Sequence, residues 1–410
     1  MSKPWLSRKQ WSSPTIYSGA KLGMIVMWVF AVLFSGVSSL VLISGFDQIM
    51  ADFERGEHLV ALVLLFPLAS IFLLRQAWVM TRDWLRYGRT PFQMEPYPGA
   101  IGGQMGGHVD LKLKFSEHLQ FEANLTLCRR VTRNSGKETK VNESVVWQRS
   151  VPLHCEPCLM EGGSGTRVRL VTDVPEGLAE SEEPDSNFHL WRLSLKATDK
   201  SLRFSRVWEL PMFAGAAQAS KPLPNLAQAA YEEQQLDALD ELTQITQQGD
   251  SIWMRFTPTN TRKMSVFMTI FGAIFLSVGI GMAQVDGPML WLFVFVFGAL
   301  GLLIMLFGVY GLGKELRIGI SPESVTVKRF WFGRSLSGRD YSRSQALHMT
   351  TEAGGSMTMG TETIQYYKLK LVMKDGKKIP LGFGIDGYGK AEKLAQQLSA
   401  LTGLEFSSKH

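Results

Sequence analysis

Four long apolar stretches, almost free of charged residues, constrain this chain more than any other feature of its sequence. Each has about the length of roughly 20 residues that a helix needs to cross a bilayer. They are residues 22–45, 59–79, 264–283 and 289–312. The second is the least regular because Pro67 lies inside it, although membrane helices tolerate proline when neighbouring groups satisfy the freed carbonyl. The sequence therefore predicts four transmembrane helices in two hairpins.

Basic residues beside these stretches predict how the chain is oriented. They precede the first and third stretches and follow the second and fourth, at Lys3, Arg8, Lys9, Lys21, Arg75, Arg82, Arg86, Arg89, Arg255, Arg262, Lys263, Lys314 and Arg317. The loop at residues 46–58 contains Arg55 among several acidic residues, and Asp286 lies between the last two stretches. Because positively charged segments are retained in the cytoplasm, both termini and both large polar regions are predicted to be cytoplasmic.

The overall composition agrees with this interpretation. The formal net charge is +6, but much of the excess lies beside the apolar stretches, where it sets topology, so nucleic acid is not an expected partner. Only three cysteines occur, Cys128, Cys155 and Cys158, an odd number and too few for a secreted domain built on disulfides. The lipid bilayer is the first expected partner.

The polar region at residues 90–222 is predicted to be a β-sandwich. Short runs within residues 107–213 alternate apolar and polar side chains and are separated by turn residues, which is typical of antiparallel strands with one buried face. Residues 223–248 change to apolar side chains at three-to-four spacing, which predicts an amphipathic helix. A short strand at residues 251–257 then leads to the third apolar stretch.

The region at residues 313–410 is predicted to be a small β-rich domain with one C-terminal helix. Strand-like runs occupy its first part, and Lys374-Asp375-Gly376-Lys377 is a strong hairpin turn. Apolar side chains then share one face of a predicted helix at residues 389–401. The order of strands followed by a terminal helix resembles that of bacterial pleckstrin-homology-like domains.

Other segments resemble known families more loosely. Residues 168–181, 188–195 and 207–213 resemble half of an arrestin-type sandwich, with a strand before a proline and serine turn, an aromatic-rich strand and a strand ending in proline. The whole layout is similar to an uncharacterised class of bacterial inner-membrane proteins that place such a sandwich between two transmembrane hairpins. The arrestin resemblance implies an interaction module without a catalytic centre, and the inner-membrane resemblance implies no specific function. In an inner membrane, the charge pattern predicts that residues 46–58 form a periplasmic loop.

The sharpest local motif is His154-Cys155-Glu156-Pro157-Cys158. A CxxC pair can ligate zinc or exchange disulfides, so Cys155 and Cys158 are candidate metal ligands or redox thiols. A structural zinc site needs four ligands, and no second pair follows, so ordinary buried or loop thiols are the alternative. The glycine-rich residues 99–107 and 162–165 lack a phosphate-loop pattern, and no cofactor is predicted.

A basic cluster after the fourth stretch is the candidate lipid site. It comprises Lys328, Arg329, Arg334, Arg339 and Arg343, and each cation near an anionic leaflet can add about 1 kcal/mol of attraction. An ordinary solvated face is the alternative. No nucleophile elbow, metalloprotease helix or kinase motif set occurs in the sequence.

We therefore expect a non-enzymatic membrane scaffold or regulatory subunit that presents two β domains to a protein partner or to a second copy of itself. The alternative is a component of a transporter or channel complex. An enzyme that uses Cys155 and Cys158 is a third, more distant hypothesis.

Overall fold

The structure is a computed structural model that describes residues 4–56, 65–135, 138–160, 163–199, 201–219, 222–224, 243–256, 262–282, 290–359 and 362–407. Most of the predicted amphipathic helix at residues 223–248 lies outside the described residues. The described residues at its end, 243–248, form a strand instead.

The described residues contain five α-helices: α1 Ala20–Glu54, α2 Leu65–Tyr87, α3 Arg262–Met282, α4 Leu290–Gly313 and α5 Tyr388–Thr402. α1 packs against α2, and α3 packs against α4. The second pair approaches closely because small residues lie at the contact: a Cβ on Gly301 would lie 2.3 Å from the Leu276 nitrogen. Such glycines allow the backbones of neighbouring membrane helices to meet.

Two of these helices are long and apolar enough to cross a membrane, judged by length and composition. The qualifying segments within the described residues are Ala20–Ser44 and Val294–Gly313. The prediction of four spanning helices is therefore supported for two. The described part of α2 carries Arg75, Arg82 and Arg86, and the apolar segment of α3 is shorter, at Met264–Ser277.

One β-sandwich is built from strands that precede and strands that follow the first helix pair in the sequence. Its strands are β1 Thr15–Ile16, β2 Phe92–Met94, β3 Gly99–Ile101, β4 Gln104–Leu111, β5 Phe121–Ser135, β6 Glu138–Val151, β7 Leu153–Met160, β8 Gly163–Asp173, β9 Asn187–Ala197, β10 Ser205–Leu210 and β11 Met212–Ala214. One sheet has the order β1-β2-β4-β8-β7, the other has β10-β9-β5-β6, and β3 pairs with β11. Both sheets contribute side chains to one core cluster, which includes Phe92, Leu125 and Trp208. This shared core confirms the predicted sandwich.

The N-terminal segment belongs to this sandwich and is not a separate element. Trp11 is only 2% exposed, and its indole nitrogen donates to the Glu209 carbonyl at 3.0 Å. β1 pairs antiparallel with β2, across the entire α1–α2 pair. A two-residue strand is too short to show alternation, which explains why the sequence pattern does not reveal it.

The second β domain also contains strands that precede and strands that follow a helix pair in the sequence. Its strands are β12 Thr243–Gln248, β13 Ser251–Phe256, β14 Lys314–Ile320, β15 Ser324–Trp331, β16 Arg334–Ser342, β17 Ala346–Met359, β18 Glu362–Met373 and β19 Lys378–Asp386. The sheets have the orders β12-β13-β14-β15-β16 and β17-β18-β19. Their shared core includes Met254, Ile318, Leu371 and Leu394, the last from α5.

The predicted hairpin turn and terminal helix of this domain are present, as the β18–β19 pairing and α5. Its lower boundary differs from the predicted residue 313, because β12 and β13 join the same sheet from before α3. Both helix pairs are thus inserted between strands that pair with each other: β1 with β2, and β13 with β14.

Candidate functional site

Cys155 and Cys158 lie in β7, where their spacing separates them. β7 pairs with β8 in an unbroken antiparallel register, so residues three apart point to opposite faces of the sheet. Cys155 packs against the sandwich core, and burial raises the pKa of its thiol to about 12. Burial also raises the pKa of Cys158. The two thiols therefore do not converge on one ion, and no cluster of three metal-ligating side chains occurs in the described part of the chain.

The five predicted lipid-binding cations do not form one cluster. Lys328 and Arg329 are neighbours in β15 and, by alternation, lie on opposite faces of the sheet. Arg334 and Arg339 are exposed on β16, which is an edge strand. Arg329 lines a cleft at the end of α4 that does not include the other four.

Arg343 has a structural role. Its guanidinium donates to the Ser321 carbonyl at 3.2 Å and to the carbonyl of Thr402, the last residue of α5. The last carbonyls of a helix lack partners within the helix, so an arginine placed there satisfies one of them. Arg343 therefore connects the end of α5 to the loop that begins at Ser321.

A basic cleft of about 390 Å³ lies where α4 enters the second β domain. Its cationic lining comprises Lys314, Arg329, Lys368, Lys370 and Lys378. The aromatic side chains of Tyr310, Phe330 and Phe383 also line it. The strands β14, β15, β18 and β19 therefore bring together cations that are far apart in the sequence.

The cations of the basic cleft fall into two groups. Lys370 forms an ion pair with Glu352, and the Lys378 ammonium lies 3.4 Å from the same carboxylate. Lys314, Arg329 and Lys368 form no ion pair with any acidic side chain among the described residues. These three unpaired cations are therefore the part of the cleft that is available to bind an anion.

Lys314 is the most deeply placed of the three. Burial lowers the pKa of its ammonium group, and the positive charges of Lys368 and Arg329 lower it further. The ammonium nitrogen lies 4.0 Å from the centre of the Phe383 ring, so a cation–π contact stabilises its charge. The Glu315 carboxylate also lines the cleft but is already bound by two arginines outside it, so the cleft keeps an excess of positive charge.

Among the cations of this cleft, the sequence predicted only Arg329 as a lipid-binding residue. Lys314 was predicted to be a topology-setting charge. Lys368 and Lys370 are separated by one residue in β18, which places both on one face of the strand. That spacing was the sequence signal for a basic surface on β18. It could not indicate the cleft, because the sequence does not show that β18 and β14 lie near one another.

The two β domains meet at a second cluster of charges. Glu122 of β5 accepts from Lys196 of β9 at 3.2 Å and from Lys390 of α5 at 3.1 Å. Asp386 lies 3.8 Å from Lys196 and 3.9 Å from Lys390. Two acidic and two basic groups therefore join the domains, and we call this group the junction cluster.

The junction cluster is largely shielded from water. The side chains of Glu122 and Lys390 are 17% and 12% exposed. Burial alone would raise the pKa of Glu122, but Lys196 and Lys390 outweigh it and lower that pKa to about 2. The carboxylate is therefore fully ionised at neutral pH and depends on both lysines.

An interdomain cleft of about 470 Å³ lies between the same two domains. The sandwich contributes Trp147 and Leu178 to it, and the second domain contributes Tyr367 and Tyr388. The two tyrosine rings contact each other edge to face at 5.5 Å. The joined domains therefore share a composite surface that neither forms alone.

These features define a β-rich protein of two joined domains, with two helices long and apolar enough to span a membrane. No protein-family model matches the chain, and no curated protein matches it. Among solved structures, it is similar to the sporulation control protein Spo0M from Bacillus subtilis, at 12% identity and a TM-score of 0.19, over 62% of this chain and 89% of that chain.

A second similar structure is that of Astrotactin-2, described as a vertebrate-specific, perforin-like membrane protein involved in neuronal development. The identity is 10% and the TM-score 0.15, over 73% of this chain and 47% of that chain. TM-scores this low define neither a fold nor a function, so the architecture follows from the sheets themselves.

Proposed function

We propose that this chain is a non-enzymatic scaffold or regulatory subunit of the bacterial cytoplasmic membrane. In this proposal, four transmembrane helices in two hairpins anchor an arrestin-like β-sandwich and a pleckstrin-homology-like domain. The joined domains form one platform on the cytoplasmic face, where a protein partner or a second copy binds.

The observation that carries the proposal is the pairing of strands across each helix pair. β1 and β2 can pair only if α1 and α2 return the chain to the side from which it left. β13 and β14 impose the same condition on α3 and α4. Such a return excludes a single crossing by α1 or α4, and with the apolar character of these helices it supports the proposed two crossings per pair.

The junction cluster extends this argument to the whole chain. Contact between Glu122 and Lys390 requires that both β domains lie on one side of the bilayer. The proposal places both termini on that side as well, and the burial of Trp11 in the sandwich and of α5 in the second domain supports it. The basic residues at the helix ends favour the cytoplasmic side.

Cysteine labelling tests the topology. In a chain with its three cysteines replaced by serine, single cysteines are introduced as Glu117→Cys in the sandwich, Lys374→Cys in the second domain and Glu54→Cys at the end of α1. We expect a membrane-impermeant maleimide to label only the Glu54→Cys protein on intact cells, and all three after permeabilisation. Ready labelling of either domain on intact cells would refute the cytoplasmic platform.

Copurification in mild detergent tests the scaffold itself. We expect a stoichiometric partner, or a defined homo-oligomer, with the wild-type chain. Glu122→Lys places a third positive charge against Lys196 and Lys390, so it should separate the domains and release the partner. Glu117→Lys, an exposed charge reversal on the same domain, is the matched control and should retain it.

Two outcomes oppose the scaffold proposal. A partner that remains bound to the Glu122→Lys chain would show that the joined platform is not what it recognises. Solute flux that depends on the helices in reconstituted vesicles, with no copurifying protein, would instead support the transporter or channel alternative.

A further inference from the structure

We propose that the basic cleft beside α4 binds the phosphate of an anionic phospholipid headgroup. Lys314, Arg329 and Lys368 would hold it. The inference rests on the proposed function in one respect, because it takes α4 as a membrane-spanning helix.

The charge of the cleft favours a phosphate as its ligand. Its three unpaired cations come from β14, β15 and β18, and the fold holds them together against their mutual repulsion. A phosphate oxygen accepts charge-assisted hydrogen bonds from lysine and arginine, and the planar arginine fork matches two such oxygens at once. One phosphate would therefore neutralise charge that the described protein groups leave unpaired.

The position of the cleft along the membrane normal favours a lipid. Lys314 directly follows Gly313, where the apolar segment Val294–Gly313 ends. Tyr310, one turn earlier on the same helix, also lines the cleft. Tyrosine and lysine at a helix end are typical of the headgroup layer. The cleft thus lies at headgroup depth, which favours a lipid over a phosphate free in solution.

The remaining cations of the cleft are held differently. Lys370 and Lys378 share the Glu352 carboxylate, which offsets one of their two positive charges. Lys314, Arg329 and Lys368 have no acidic partner among the described residues, so the cleft divides into cations that share a carboxylate and cations that do not. A uniformly basic surface would lack this division, and it would attract anionic membranes without a defined site.

Native mass spectrometry of the full-length protein in detergent provides the test. Phosphatidylglycerol and phosphatidylcholine, matched in acyl chains, are titrated as probes. We expect the wild-type chain to retain phosphatidylglycerol preferentially. The double variant Arg329→Gln with Lys368→Gln should weaken that retention by at least about tenfold, since each cation near an anionic lipid contributes on the order of 1 kcal/mol.

A matched double variant keeps the same change in net charge. Arg334→Gln with Arg339→Gln removes two exposed cations of β16, outside the cleft. It should retain phosphatidylglycerol within about twofold of the wild type. Equal losses in the two double variants would overturn the site and leave only nonspecific attraction by a basic surface.

Inorganic phosphate distinguishes the two sources of the same chemistry. We expect millimolar phosphate to displace the lipid poorly, because a headgroup carried by acyl chains is held by the apolar helices as well. Phosphate that binds tightly to detergent-purified protein and removes the lipid would overturn the lipid assignment and indicate a soluble phosphate ligand.

The lipid measurement and the topology measurement fail separately. Retention in detergent does not depend on which side of a membrane the domains face. Labelling of the domains on intact cells would therefore refute the cytoplasmic platform and leave the lipid site standing. Equal retention of phosphatidylglycerol and phosphatidylcholine by the wild-type chain would refute the lipid site and leave the cytoplasmic platform untouched.

Discussion

Replacement of Glu122 by glutamine tests what joins the two β domains. The substitution preserves size and removes the negative charge that lies between Lys196 and Lys390. The pKa of Glu122 falls from an ordinary 4.5 to about 2, and each pH unit corresponds to about 1.4 kcal/mol. The ionised carboxylate therefore stabilises the joined state by about 3 kcal/mol, which is the range expected when one member of a buried ion pair is removed.

The dependence on pH follows from the direction of this pKa change. A carboxyl whose pKa is lowered in the folded state stabilises that state fully above its unfolded pKa, and the contribution is lost as pH falls toward the folded value. The wild-type chain should thus lose this contribution between about pH 4.5 and pH 2. The Glu122→Gln chain lacks the titrating group and should not show that part of the loss.

Thermal unfolding of the full-length protein in detergent measures both effects. At pH 7 we expect Glu122→Gln to unfold at a lower temperature than the wild type, and the gap should narrow as pH falls below 4.5. Glu117→Gln, an exposed change on the same domain, is the matched control and should match the wild type at each pH. A gap of zero at pH 7, or a gap unchanged at pH 3, would refute this account of the junction.

Three further predictions follow from the described contacts. Gly301→Leu should separate α3 from α4 and lower the melting temperature, whereas Gly298→Leu, whose Cβ meets open space, should not; equal effects would contradict close helix packing. Trp11→Ala should cost about 3–5 kcal/mol of unfolding free energy, and an unchanged melting curve would show that the N-terminal segment does not stabilise the sandwich. Mild oxidation should leave Cys155 and Cys158 unlinked, since they lie on opposite faces of β7; mass spectrometry that finds their disulfide would disprove that placement.

Local patterns in the sequence were sufficient for elements whose partners lie close along the chain. Period-two alternation predicted the strands of the sandwich, and the turn at Lys374–Lys377 predicted the β18–β19 hairpin. Helical periodicity likewise predicted α5. In each case one segment records both its own conformation and its neighbour, so a single window of residues was informative.

Pairings across a helix pair were outside the reach of such patterns. β1 and β2 are separated by α1 and α2, and β13 and β14 by α3 and α4. The two residues of β1 carry no period, and Trp11 appears in the sequence as one more aromatic residue before an apolar stretch. The contacts that close each β domain across its helix pair are therefore visible only in three dimensions.

The candidate sites show the same division between local and distant information. A CxxC spacing suggests convergence only when the segment is a turn, and in a regular strand the same spacing sends the two side chains apart. A run of nearby cations suggests a patch, but alternation separates Lys328 from Arg329, and Arg343 is used to hold α5.

The basic cleft exists because strands from opposite ends of the second domain meet at the end of α4. Lys314 is the residue where these observations converge. It directly follows the apolar helix α4, begins β14 and carries a charge that neighbouring cations destabilise. A lysine placed only for topology would extend into water, where such a charge costs nothing. Its burial against Phe383, beside Arg329 and Lys368, is explained if the missing negative charge arrives from the membrane surface.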